Sequence, residues 1–173
     1  MIKIITTFMN ALTAMLMGCL CLATDYWKVW WEQNTAANLQ RFNNEGLFFT
    51  CNEGVIRNAT SGVTYTVVNH QCAEMGTRFD WTGAVIAFLV LALLCHFVAF
   101  VLAMVNACRK GEPFPVFWVC GLFMIAAIFV IIGLLVYTFS NWKNDVYFSW
   151  SYGGGWSTVA LSIIAFVLIM ADR

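Results

Sequence analysis

Polar and apolar residues are segregated along this chain in blocks much longer than a turn of helix. Ile4 to Ala23 is 20 residues without a charge, Trp81 to Ala107 is 27, Phe114 to Phe139 is 26, and Trp150 to Met170 is 21. At about 1.5 Å per residue each run reaches the roughly 30 Å of a bilayer's hydrocarbon, and the second, at about 40 Å, outruns it. The pattern predicts four membrane-spanning helices at 4–23, 81–107, 114–139 and 150–170. The segments between them are 24–80, 108–113 and 140–149. The first run ends in Cys21-Leu22-Ala23, which resembles a small-x-small cleavage site. A signal peptide's apolar region is about 7–15 residues, shorter than this one, so an uncleaved span is expected.

Thr24 to Asp80 is 57 residues and holds ten of the 18 charges. Tyr26, Val29 and Trp31 lie among the aromatic and β-branched residues that strands favour. Gly46 to Ile56 and Val63 to Cys72 are two further strand candidates, separated by the turn cluster Asn58-Ala59-Thr60-Ser61-Gly62. If Ser61-Gly62 is a two-residue hairpin tip, opposed residue numbers sum to 123, and Cys51 then faces Cys72. Opposed antiparallel residues lie about 4.5–5.5 Å apart at Cα, within the span of a disulfide. Turn chemistry and cysteine spacing therefore agree on one bond. Asn58-Ala59-Thr60 is an N-glycosylation sequon beside that tip. A sequon and a disulfide in one segment both imply the lumenal or extracellular side. Arg109 and Lys110 in the connection 108–113 imply the cytoplasmic side, as do Lys3 and Arg173 at the termini. The resulting protein is a multi-pass plasma-membrane protein with both termini cytoplasmic. Trp27, Trp30, Trp31, Trp81, Trp142 and Trp150 fall at the outer ends of spans, as an interfacial aromatic belt would.

Composition narrows the function classes. The chain is 61% hydrophobic and 10% charged, against about 25% charged in soluble domains. Nine basic residues balance nine acidic ones, so nothing points to nucleic acid. There is no CxxC, no pair of histidines at helical spacing and no glycine-rich phosphate loop. No enzyme activity, metal or cofactor is expected. The expected partners are membrane lipid and another membrane protein.

A few residues stand out inside the apolar runs. His96 is mid-span, and a neutral imidazole hydrogen-bonded between helices is the expectation, since no other span carries a carboxylate. Gly153-Gly154-Gly155 opens the last span, and residues this small let helices pack closely, either within the bundle or in a groove for a partner helix. Cys19, Cys21, Cys95 and Cys120 read as small buried apolar residues. Cys108, beside Arg109 and Lys110, is a candidate palmitoylation site.

The order of these parts resembles the superfamily of claudins, peripheral myelin protein 22 and calcium-channel γ-subunits, whose signature is Trp, then Gly-Leu-Trp, then Cys and Cys. Trp27 matches the first Trp, Gly46-Leu47-Phe48 the triplet with Phe for its Trp, and Cys51 and Cys72 the pair. Thr24-Asp25-Tyr26-Trp27, Ile131 to Tyr137 and Tyr147 to Tyr152 are similar to the γ-subunit branch. The hairpin is wider than that of sealing claudins. The resemblance implies a left-handed four-helix bundle with a small extracellular antiparallel sheet. It also implies action by contact: as an auxiliary subunit modulating an ion channel or receptor, or as a cell-junction and cell-adhesion protein.

Overall fold

The computed structural model describes residues 2–34, 38–66, 71–74, 80–109 and 115–171. Its helices are α1 (Ile2–Ala23), α2 (Asp80–Cys108), α3 (Val116–Asn141) and α4 (Trp150–Ala171). All four are long and apolar enough to cross a membrane. Pro115 immediately precedes α3, where a missing N–H leaves no intrahelical bond unmade. Lys110 and Arg173, which entered the charge argument, lie outside the described residues.

The burial pattern explains how the helices assemble. In α2 the buried positions are Thr82, Val85, Leu89, Ala92, His96, Ala99 and Ala103, spaced alternately by three and four. In α4 Ser151, Gly155, Thr158, Ser162, Ala165 and Ile169 follow the same rhythm. Thr7, Ala11 and Ala14 begin it in α1, and Val119, Phe123, Ala126, Val130, Gly133 and Tyr137 repeat it in α3. A repeat of 3.5 residues keeps one stripe facing inward only if the helices supercoil to the left. Each of α1 and α3 packs against both α2 and α4. The inward stripes are rich in Ala, Gly, Ser and Thr, which allow close approach where lipid gives helices no hydrophobic drive to associate.

A sheet covers one end of the bundle. Its strands are β1 (Lys28–Asn34), β2 (Leu39–Glu45), β3 (Phe49–Asn58), β4 (Thr64–Thr66), β5 (Gln71–Glu74) and β6 (Val146–Phe148). The order is β4-β3-β2-β1-β6, with β5 also on β3, and every pairing is antiparallel. Several expectations change here. The strand expected from Gly46 begins at Phe49, because Gly46-Leu47-Phe48 turns and the Gly46 N–H donates to the Phe49 carbonyl at 2.9 Å. α3 runs on to Asn141, and β6 lies inside 140–149, expected only as a short connection between spans. Of the strand expected over Val63 to Cys72, residues 67–70 lie outside the described residues.

The hairpin has a different tip from the one expected. Ala59 to Gly62 form the loop, closed by the Asn58 N–H on the Val63 carbonyl at 2.9 Å. Opposed numbers sum to 121 near the tip, as in Arg57 against Thr64, and to 123 at Cys51 against Cys72. From Val55 against Thr66 to Asn52 against Gln71, β3 moves three positions and its partners five. β3 also bulges against β2 between Arg41 and Asn43, and Gly54 takes φ 66° there. That left-handed conformation favours a residue without Cβ.

Candidate functional site

The signature residues gather where the sheet meets the helix ends. Trp27 is fully buried, and its indole N–H donates to the Cys21 carbonyl at 2.7 Å. That carbonyl lies in the last turn of α1, where intrahelical donors have run out. The Thr24 hydroxyl serves Leu20 in the same way at 2.6 Å. The Trp27 ring packs on Tyr137 at 4.7 Å and on Tyr152 at 6.2 Å between centroids. Leu47 is also fully buried, and Phe48 packs beside it against the same core. Trp27 is thus a core residue and not part of an interfacial belt. Of the tryptophans expected in that belt, Trp142 and Trp150 are exposed.

Main-chain bonds tie the sheet to the bundle on several sides. The Trp27 N–H donates to Glu45 at 3.1 Å, the Ser149 N–H to Trp27 at 3.0 Å, and the Ser151 N–H to Tyr26 at 3.1 Å. The Asn44 amide donates to the Asp25 carbonyl at 2.9 Å. The Lys28 ammonium lies 2.8 Å from Glu45 and donates to Asn141 Oδ1 at 2.7 Å. Burial pushes the Asp25 carboxyl above its ordinary range.

Gly46 is required by close approach. A Cβ on it would stand 2.6 Å from the Asp25 Cα and 2.9 Å from the Thr24 carbonyl oxygen. Both are backbone atoms and cannot swing aside. Gly46→Ala is expected to lower stability by about 1–3 kcal/mol, read as a fall in thermal midpoint in detergent. Gly83→Ala is the control: nothing lies within 4 Å of its added methyl, and its midpoint stays level or rises.

Cys51 and Cys72 are disulfide-bonded, with Cα atoms 4.1 Å apart. Asn58 lies at the base of the hairpin loop. Its Oδ1 accepts from the Thr60 and Ser61 N–H groups at 2.9 and 3.0 Å. Gly155 faces Leu134, Gly154 faces Met17 and Cys21, and Gly153 faces open space. Two of the three glycines therefore serve packing inside the bundle. Cys108 is exposed at the end of α2. Cys21 and Cys120 are buried, whereas Cys19 is exposed and Cys95 half-buried, contrary to expectation.

His96 joins α2 to α4. Its Nδ1 is 2.8 Å from the Ala92 carbonyl and its Nε2 is 2.8 Å from the Ser162 hydroxyl. A carbonyl only accepts, so Nδ1 carries the proton. The one Ser162 proton has two acceptors in reach, Nε2 and the Thr158 carbonyl at 2.9 Å, and turned to Nε2 it lets the ring accept there. A neutral imidazole meets both demands. The bond between helices is as the sequence leads one to expect; that its partner is the Ser162 hydroxyl is not legible there.

No family model matches the chain. Among curated proteins it is similar to Claudin domain-containing protein 2 of Homo sapiens, 27% identical over 164 residues, which is 94% of this chain and 82% of that protein. It is 30% identical over 114 residues to the protein of the same name from Mus musculus, covering 65% of this chain and 68% of that protein. Carried by four spans and a disulfide-closed sheet that meet at Trp27 and Gly46-Leu47, this likeness means that the chain belongs to the claudin-like family of four-span membrane proteins.

Proposed function

We propose that this chain is a non-catalytic protein of the plasma membrane that acts as an auxiliary subunit of an ion channel or receptor. In this reading the sheet is extracellular and both termini are cytoplasmic. The supporting observation is the joint between sheet and bundle. Trp27, Lys28 and Asn44 bond the sheet to the end of α1 and to α3, and Tyr26 and Trp27 bond it to the entry of α4. A partner that grips the sheet therefore also positions the helices. Exposed apolar residues such as Leu94, Phe97 and Val101 on α2, and Ile164, Val167 and Leu168 on α4, offer surface to lipid and to a partner's spans. Different contact with two states of a channel shifts their populations. Isolation of the tagged chain from native membrane in mild detergent is the test. A large channel or receptor at fixed stoichiometry is the expected result, and recovery of the chain alone counts against it.

A second reading is a junction or adhesion protein that pairs through the segment 24–80. The hairpin loop and β4, exposed from Ala59 through Thr66, favour it. Accumulation at contacts between transfected cells, without a co-purifying channel, would select this reading.

The orientation has its own check. Asn58 carries an N-glycan in this reading, so enzymatic deglycosylation of protein from mammalian cells shifts its mass, and Asn58→Gln abolishes the shift. An unglycosylated chain whose hairpin is reached only by cytosolic proteases overturns the orientation. Cys108 is read as an acyl acceptor at the cytoplasmic end, and thioester-selective acyl exchange lost in Cys108→Ala checks it.

A further inference from the structure

The end of α3 and the first strand enclose a pocket of about 280 Å³ lined by Lys28, Trp30, Glu45, Asn141, Lys143 and Val146. Its inner wall is fixed in place. Lys28 and Glu45 form an ion pair only 15% exposed on each side chain. Asn141 accepts from Lys28 and donates to the Tyr137 carbonyl at 3.0 Å. An ammonium has three donors, and Glu45 and Asn141 take two of those on Lys28. Glu45 cancels the charge of Lys28, so Lys143 leaves the pocket with one net positive charge.

Depth in the membrane decides what meets this charge. Asn141 is the last residue of a spanning helix. Phe139 and Trp142, 79% and 74% exposed, flank it where aromatic side chains mark the boundary between hydrocarbon and headgroups. At that depth the abundant anion is the phosphodiester of a phospholipid. We propose that this pocket binds the phosphate of a membrane phospholipid. Lys143 and the remaining Lys28 donor hold the phosphate, Trp30 forms a side wall, and the acyl chains descend along α3 past Phe139. The charges match one to one, and the site needs only that α3 spans a membrane, not the subunit reading.

The test uses the full chain, stripped of lipid in detergent and followed by native mass spectrometry. Dioctanoyl-phosphatidylglycerol is titrated against dioctanoylglycerol, which has the same chains without phosphate, and inorganic phosphate is added as competitor. Wild type is expected to hold one phosphatidylglycerol more tightly than the diacylglycerol. Lys143→Gln weakens that binding about fivefold, and Lys143→Arg retains it. Lys143 is exposed, so the thermal midpoints of both variants match wild type. Equal affinity of wild type and Lys143→Gln, or of the two lipids, overturns the site. Full displacement by millimolar inorganic phosphate overturns a lipid as its occupant.

Discussion

Trp27→Ala is expected to destabilise the folded protein by about 3–5 kcal/mol, the range for emptying a buried aromatic site. The loss has two separable parts. The ring fills the space between α1, Tyr137 and Tyr152, and its N–H satisfies the Cys21 carbonyl. Trp27→Phe keeps most of the packing and removes the donor with part of the ring, so it costs about 1–3 kcal/mol. Trp118→Ala makes the same chemical change at a residue 70% exposed on α3 and falls within about 0.5 kcal/mol of wild type. Thermal unfolding in detergent separates the three. The variants also differ in where they act. Trp27 bonds to β2 through its N–H and, through its carbonyl, to Ser149 between β6 and α4. Loss of its side chain therefore loosens the sheet's footing as well as the bundle's end. A Trp27→Ala protein as stable as the Trp118→Ala protein would remove the joint from any part in coupling sheet to helices.

The helices could be read from the sequence because long apolar runs have few alternative solutions in lipid. The sheet was only partly readable, for particular reasons. β2, Leu-Gln-Arg-Phe-Asn-Asn-Glu, has almost none of the residues that favour strands, and it is extended because β1 and β3 supply partners on both of its sides. β6 is three residues long and exists because Lys28 to Trp30 offer it a ladder. The cysteine pairing came from an assumed tip at Ser61-Gly62. The real loop is centred one position earlier, and a register change near Gly54 restores the sum at the cysteines. The bond is as expected, and its route differs. At the joint, Trp27, Gly46 and Leu47 carried a signature, but nothing in sequence marks Asn141 as the acceptor for Lys28, or Ser162 as the partner of His96. Each pair joins residues far apart in the chain through single hydrogen bonds, which leave no periodicity to detect.

Replacing both Cys51 and Cys72 with Ser is expected to destabilise the outer hairpin by about 2–4 kcal/mol, as for a bond closing a loop of this length. The effect is local. β5 is exposed throughout and rests on β3 through four opposed pairs, and β4 is exposed through its three residues. Neither has a core of its own, so the covalent link supplies much of what holds them. β1, β2 and β6 are bonded to the helix ends and remain. Hydrogen exchange of the double variant should show β4 and β5 amides exchanging about 30- to 1,000-fold faster, with α2 and α3 unchanged. Uniform acceleration through the helices would instead mean that the staple is felt across the joint at Trp27. Adding Trp27→Ala to the double variant then discriminates: losses that sum place the outer hairpin and the joint in separate cooperative units, and a combined loss smaller than the sum makes them one. The subunit reading needs β1 and β2 to stay coupled to the bundle even when the hairpin opens. It is therefore the exchange rates of β1 and β2, more than those of the cysteine-bearing strands, that bear on how a grip on the sheet could reach the membrane.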